Sequence, residues 1–136
     1  MYLKHSFFNK SIKFTSFLCC NNPWDLHTVV FVHHPPVLMH SRWLDEIGLE
    51  DGEVLIELLE QFPNIKLVCS GHVHQESATA TGGPLVLTTP AVGPQFRPRT
   101  DELQIEALPP ALRVIDLEPD GNWSTQVVRI ELTETD

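Results

Sequence analysis

The chain has 136 residues and no internal repeat, which is enough for one domain of modest size and excludes a large multidomain enzyme. Its composition is 42% hydrophobic and 20% charged, which excludes a disordered chain, and no apolar run is long enough to predict a membrane-spanning helix. Eighteen acidic residues against nine basic ones give a net charge of −9, which argues against nucleic acid or an anionic membrane as a partner.

The first part of the chain differs from the rest in charge. Residues 1–24 contain three lysines and no acidic residue, whereas all the acids lie from Asp25 onward. We therefore expect residues 1–22 to have a separate origin, as the product of a frame-shift or an alternative start, or to form a genuine N-terminal helix or tail. The apolar stretch at residues 14–20 is short and lacks a small-residue cleavage site, so a signal peptide is not favoured.

The cysteines predict a reducing environment. Cys19, Cys20 and Cys69 are odd in number, include no Cys-x-x-Cys, and place two thiols side by side, an arrangement that seldom forms a disulfide. Free thiols of this kind indicate a cytoplasmic protein.

A first strand is predicted over residues 27–32, where a β-branched and aromatic run precedes His33 and His34. An unbroken apolar strand is typical of a sheet that is covered on both faces. The two prolines that follow cannot continue a central ladder, so the chain must leave the sheet at the histidines. A loop that runs through Met39 and Trp43 is predicted next.

A helix is predicted to begin at Asp51, which can cap its N-terminus, and to end before Pro63. A second apolar strand follows at residues 65–69. Strand, helix and strand within about 45 residues predict a right-handed βαβ unit with a parallel sheet. The helix is expected to bury one apolar stripe, which consists of Val54, Leu55, Leu58, Leu59 and Phe62.

Beyond residue 74 the pattern predicts hairpins. Gly82-Gly83 marks the first turn and Asp120-Gly121 the second. Residues 90–110 carry five prolines and little periodicity, so they are predicted to form a loop. The predicted hairpin strands are residues 75–80 with 85–88, and residues 111–117 with 123–131. The expected fold class is therefore α/β, a βαβ unit followed by β hairpins.

Histidines follow both predicted parallel strands. His33 and His34 come at the carboxyl end of the first, and His72 and His74 at the carboxyl end of the second. Ligands of open α/β sheets bind at that edge, and neutral imidazoles are ligands for Zn, Mn or Fe. These residues could instead be unrelated loop histidines. Strand direction favours the metal site, because it brings both clusters to one edge.

These histidines also carry a resemblance to a known family. His33-His34-Pro35-Pro36 and Gly71-His72-Val73-His74 resemble the last two metal motifs of the calcineurin-like metallophosphoesterases. Further matches make the chain similar to the class III 3′,5′-cyclic nucleotide phosphodiesterases, the bacterial cyclic-AMP phosphodiesterase group, from about residue 27 to residue 131. These matches are Trp43-Leu44-Asp45, Gln75-Glu76, residues 89–98 and residues 112–117. The resemblance implies that residues 23–136 are the C-terminal half of a metallophosphoesterase domain and that residues 1–22 lie outside the family.

The resemblance further implies an α/β/β/α sandwich with a dinuclear centre of two divalent or trivalent ions, Fe, Mn or Zn. His33 and His72 would bind one ion and His74 the other. His34 matches the motif, but packing or a hydrogen bond to a metal ligand is an equal role for it. The implied reaction is in-line hydrolysis of a small-molecule cyclic phosphodiester, with cyclic AMP as the family's substrate.

Part of the family's metal centre has no counterpart in this sequence. The chain contains neither the Gly-Asp nor the Gly-Asn-His motif that lies upstream in family members. Asp25-Leu26-His27 has the Asp-x-His spacing, but it precedes its strand, and about 16 Å of strand would separate Asp25 from His33. We therefore expect a truncated, partial site that binds metal weakly and hydrolyses little. The alternative is a non-catalytic remnant that serves as an interaction or assembly module and self-associates through exposed strand edges.

Substrate-binding candidates follow from the same resemblance. Arg97 lies in the Gln-Phe-Arg-Pro match, and a guanidinium fits phosphate oxygens. Arg42 and Arg99 are weaker candidates for the same role. Trp43 could stack on a base, or it could serve as a core or dimer contact.

Overall fold

The computed structural model describes residues 26–131. Residues 1–22, the Asp25 carboxylate and the Cys19–Cys20 pair therefore lie outside the described residues. The described residues form two helices and eight strands. In chain order these are β1 (Thr28–Phe31), α1 (Arg42–Asp45), α2 (Gly52–Leu59), β2 (Ile65–Ser70), β3 (Ser77–Thr79), β4 (Leu85–Thr88), β5 (Gln95–Phe96), β6 (Ile105–Glu106), β7 (Ala111–Leu117) and β8 (Trp123–Arg129).

A mixed sheet in the order β1-β2-β4-β3 forms the centre of the fold. Strand β2 pairs in parallel with both β1 and β4, whereas β3 pairs antiparallel with β4. The parallel βαβ arrangement predicted around α2 is therefore confirmed, and so is the first hairpin. The fold is α/β with few helices.

Side chains alternate across β2 and build two cores. Val68 points to the α2 side and packs in a cluster with Leu55 and Val86. Leu67 and Cys69 point to the opposite side, where Ile115 of β7 packs against them. Because β2 is covered on both faces, its three apolar residues from Leu67 to Cys69 are at most 4% exposed.

Burial also fixes the chemistry of Cys69. The residue is a free, buried thiol. Desolvation raises its pKa to about 11, against a smaller opposing effect of the Arg113 charge. The thiol therefore stays protonated and packs as a small apolar side chain.

Strand β1 lies at the edge of the sheet, and its coverage differs from the prediction. Phe31 is 61% exposed, so this strand is not covered on both faces by the residues described. An apolar run indicates a strand, but it does not tell whether neighbours exist for every side chain.

The α2 helix corrects two details of the sequence prediction. Asp51 occupies the N-cap position but makes no side-chain capping bond. Val54 and Leu58 are 55% and 43% exposed, because the eight-residue helix ends at Leu59 and turns only Leu55 and Leu59 fully toward the sheet. The predicted stripe was too wide for so short a helix.

Two regions predicted to be loops contain short regular elements. The loop through Trp43 includes the one-turn helix α1, in which Leu44 is buried. The proline-rich segment 90–110 includes the two-residue strands β5 and β6, which pair antiparallel. Elements of two to four residues are too short to show a period, so no pattern in the sequence could predict them.

The second hairpin was predicted correctly. Strands β7 and β8 pair antiparallel over seven residues each. At the turn, Gly121 has φ +87, and its missing Cβ leaves the space that the His27 ring occupies. Neither helix of the described segment is both long and apolar enough to cross a bilayer.

Leu55→Ala and Leu58→Ala make the same chemical change on the same helix and test this packing. Leu55 is 1% exposed, so we expect its truncation to lower the free energy of unfolding by about 2–5 kcal/mol, whereas Leu58→Ala should cost much less. Urea unfolding followed by circular dichroism measures both. Equal losses would contradict the placement of α2.

Gly52 allows α2 to approach the loop that follows the first histidine pair. A Cβ at Gly52 would lie 2.6 Å from the Pro36 carbonyl oxygen, whereas one at Gly48 would meet no atom closer than 3.4 Å. We expect Gly52→Ala to destabilise the fold by about 1–3 kcal/mol through overpacking, and Gly48→Ala to be tolerated. Thermal unfolding of the two variants checks this, and an unperturbed Gly52→Ala protein would show that the contact is wrong.

Candidate metal centre

The ends of β1 and β2 bring the predicted histidines to one place. The parallel ladder continues past β1, where the Val32 amide donates to the Cys69 carbonyl over 3.0 Å. The His33 carbonyl then accepts from the amides of both Gly71 and His72, at 3.3 and 3.2 Å. One carbonyl therefore ties the two histidine-bearing segments together.

Three imidazoles form a cluster at this edge. His33 Nε2 and His72 Nδ1 are 3.2 Å apart, and the His34 ring lies 4.0 Å from the His72 ring between centroids. One ligand nitrogen from each of the three lies within 4.8 Å of the other two. Two nitrogens on one tetrahedral zinc ion are about 3.3 Å apart, given zinc–nitrogen distances near 2.0–2.1 Å. The spacing of His33 and His72 therefore suits a shared ion.

Burial and mutual repulsion lower the pKa of two of these imidazoles, His72 and His34. Desolvation lowers the pKa of His72 to about 4, and positive charge on His34, His33 and His74 would lower it further in the same direction. The pKa of His34 is lowered by burial and then by His33. The cluster found within residues 26–131 contains no carboxylate. Neutral imidazoles hold a free lone pair, which is the form that binds metal.

His72 also carries an unused nitrogen. Its Nε2 is buried and has no hydrogen-bond partner in the described part of the chain. A buried polar atom without a partner is costly and marks a place where a ligand, ion or water is accommodated. Nδ1 is the nitrogen that faces His33 and would take a shared ion, so the orphaned Nε2 leaves room for a water or a second ligand on the same ring.

His74 lies apart from the three-imidazole cluster. Its backbone has φ +50, which is rare for a residue other than glycine and is found at functional sites. Its Nδ1 is 2.8 Å from the Pro94 carbonyl oxygen, and its ring stacks on Phe96 at 4.4 Å and 8°. Because a carbonyl can only accept, Nδ1 carries the proton, and in the neutral form of the ring Nε2 then keeps its lone pair.

The sequence left the part played by His34 open. The structure places its ring against both other imidazoles, 4.9 Å from His33 and 4.0 Å from His72. The His-His-Pro-Pro motif indicated that His34 lies near the site, but a sequence pattern cannot predict the direction in which each ring points.

Of the predicted substrate-binding residues, Trp43 lies in α1 and Arg97 directly follows β5. Trp43 is half-buried and packs edge-on against Phe96 at 5.3 Å. Arg97 is exposed, and its guanidinium makes no hydrogen bond or ion pair with the residues described. Arg42 pairs with Glu46 at 3.2 Å, which leaves it less available to a phosphate.

Sequence analysis did not identify Arg113 as a residue near the cluster. Arg113 lines an open cavity of 440 Å³ together with His33 and Ser70. Its guanidinium donates to the Thr88 carbonyl and the Thr125 hydroxyl, but has no carboxylate partner among residues 26–131. An arginine on a regular strand gives no sequence signal of this kind, because its surroundings come from β4 and β8.

Curated relatives of this chain are cyclic nucleotide phosphodiesterases. It is 36% identical over 104 residues to the 3′,5′-cyclic adenosine monophosphate phosphodiesterase CpdA of Vibrio vulnificus, a match that covers 76% of this chain and 38% of the relative. The corresponding protein of Haemophilus influenzae is 37% identical over 113 residues, covering 83% and 41%. That of Escherichia coli K12 is 33% identical over 104 residues, covering 76% and 38%. No protein-family model matches the chain.

The chain spans about two fifths of the length of these relatives, and the matches fall in their C-terminal part. The resemblance inferred from the histidine motifs is thereby confirmed. The chain belongs to the class III 3′,5′-cyclic nucleotide phosphodiesterase family of metallophosphoesterases, to whose C-terminal part it corresponds.

Proposed function

We propose that this chain supplies part of the dinuclear metal centre of a phosphodiesterase that hydrolyses 3′,5′-cyclic nucleotides, cyclic AMP above all. The observation that carries the proposal is the 3.2 Å approach of His33 Nε2 to His72 Nδ1 from two neighbouring strand ends. The names of the relatives support the reaction, since they describe cyclic adenosine monophosphate phosphodiesterases.

The residues present fit the metals that the family implies. His33 and His72 would hold one ion, with His34 beside them, and His74 would hold the other through Nε2. Bound divalent or trivalent ions (Fe, Mn or Zn) neutralise phosphate charge and activate water. The chain's own contribution is to orient these ligands. The His33 carbonyl holds the segments that carry His33 and His72 together, and the Pro94 carbonyl orients the His74 ring.

Arg97 and Trp43 are our proposed substrate contacts. The free guanidinium of Arg97 suits a phosphate, and its loop is held near Trp43 because the Ser41 hydroxyl accepts from the amides of Arg99 and Thr100, at 2.9 and 3.3 Å. Trp43 would contribute an aromatic surface beside Phe96 for the base.

The proposed fold and setting follow the same resemblance. The mixed sheet and its covering elements would be the C-terminal half of an α/β/β/α sandwich, residues 23–136, with residues 1–22 outside it. The substrate would be a small molecule rather than nucleic acid or a membrane, in keeping with the net charge of −9. The free thiol of Cys69 supports a cytoplasmic location.

By itself the chain is proposed to be weakly active or inactive. The three proposed ligands are divided between two ions, and the imidazole cluster contains no carboxylate within the described segment. The competing proposal is a non-catalytic interaction or assembly module, including a homo-oligomer. Phe31, 61% exposed on the edge strand β1, favours that alternative, since an open edge can pair with another chain.

Zinc titration of the full chain tests the metal centre. We expect His72→Asn to weaken zinc binding by about 100-fold or more. Loss of a group that only hydrogen-bonds to a ligand already costs up to about 100-fold, and His72 is proposed to be a ligand itself. The exposed His40, which lies outside the cluster, provides the control His40→Asn and should leave the affinity unchanged. Isothermal titration measures both. Equal affinities in the two variants would exclude His72 as a ligand.

A chimera tests the reaction. Residues 27–131 would replace the matching C-terminal part of the Vibrio vulnificus relative, and cyclic AMP hydrolysis would be measured in the purified chimera. We expect turnover that His72→Asn abolishes and His40→Asn preserves, while the isolated chain shows little. A folded, metal-loaded chimera without turnover would favour the interaction module over the enzyme.

A further inference from the structure

Gln95 is a buried glutamine whose side-chain amide makes all its hydrogen bonds to one turn. The residue is 2% exposed. Its Nε2 donates to the carbonyls of Ala91 and Gly93, at 2.6 and 2.8 Å, and its Oε1 accepts from the Ala91 amide at 3.3 Å. Three bonds from one side chain hold the turn at residues 91–94 in a single conformation.

The turn held by Gln95 ends at His74. The Pro94 carbonyl lies 2.8 Å from His74 Nδ1. Phe96, two residues after Pro94, stacks its ring on the His74 imidazole. The backbone amide of Phe96 also donates to the His74 carbonyl over 3.4 Å. The stretch 94–96 therefore contacts His74 at a ring nitrogen, at the ring face and at the backbone.

These contacts select one form of the imidazole. A neutral histidine has two tautomers, and only the one with the proton on Nδ1 can donate to the Pro94 carbonyl. The other nitrogen, Nε2, then keeps its lone pair. The rare backbone conformation of His74, with φ +50, shows that the same surroundings hold the residue where it would not otherwise rest.

We propose that Gln95 is a positioning residue: by fixing the Pro94 carbonyl it sets the tautomer and ring orientation of His74, and Phe96 completes the support by stacking. The inference rests on the proposed function for its purpose, since a fixed Nε2 lone pair matters only where His74 binds a metal. The positioning itself can be measured without any metal.

The test uses the full chain, labelled with nitrogen-15, above about pH 8, where an ordinary imidazole is neutral. Two-bond nitrogen–proton spectra report which ring nitrogen of His74 carries the proton. We expect the Nδ1–H form alone in the unmodified chain. Gln95→Glu keeps the side-chain shape but removes both donors, so we expect a mixture that includes the Nε2–H form.

Gln126→Glu is the matched control, because Gln126 is an exposed glutamine on β8 and receives the same charge. It should leave His74 in the Nδ1–H form. Gln95→Met, which keeps the length of the side chain without charge, gives the same readout if the glutamate variant does not fold. The amide signals of Val68 and Val86 show that the central sheet is intact.

Two results would overturn the positioning role. One is an unmodified chain in which His74 carries its proton on Nε2. The other is a folded Gln95 variant in which His74 stays entirely in the Nδ1–H form. A merely structural role for Gln95 would lower stability and leave the tautomer unchanged.

A zinc titration followed at the ring nitrogens separates this inference from the proposed function. We expect the Gln95→Met variant to lose about 10- to 100-fold of the zinc affinity at His74, with binding at His33 and His72 unaltered. If His74 shows the fixed tautomer but takes up no zinc, the positioning stands and its proposed metal role fails.

Discussion

The parallel pairing of β1 with β2 is the constraint on which the site depends. Parallel neighbours end at the same edge of a sheet, so residues that follow the two strands must meet. Here the His33 carbonyl, bonded to the amides of Gly71 and His72, holds the two ends in register beyond the last strand residues. Backbone hydrogen bonds therefore bring the imidazoles together, and His33 Nε2 and His72 Nδ1 meet there at 3.2 Å.

The electrostatics of the chain agree with a site that needs metal. The protein is acidic overall, yet the imidazole cluster holds no carboxylate within residues 26–131. Burial and mutual repulsion keep His72 neutral, with its pKa near 4. Neutral imidazoles cannot by themselves neutralise a phosphodiester. A bound cation would supply that charge.

The sequence predicted the fold where residues have neighbours along the chain. The apolar runs of β1 and β2, the helix between them and the glycine-marked hairpin turns were all found from local pattern. Exposure of Phe31 and Leu58 was missed because coverage depends on elements far away in sequence. The short elements α1, β5 and β6 were missed because two to four residues are too few to show a period.

The site divides in the same way. His33 and His72 could be placed together from strand direction alone. The His33-His34 pair made His34 a candidate, but the sequence could not predict the orientation of its ring. The roles of Arg113 and Gln95 could not be predicted. Each depends on contacts with another segment, Arg113 with Thr88 and Thr125, and Gln95 with the turn that faces His74.

The central claim is that His33 and His72 share one ion. Anomalous diffraction from crystals of the chain soaked in zinc, collected on both sides of the zinc absorption edge, locates bound ions directly. We predict a peak within bonding distance, about 2.0–2.1 Å, of one ring nitrogen from each of these residues. An ion bound elsewhere, or two rings too far apart to touch the same peak, would contradict the account.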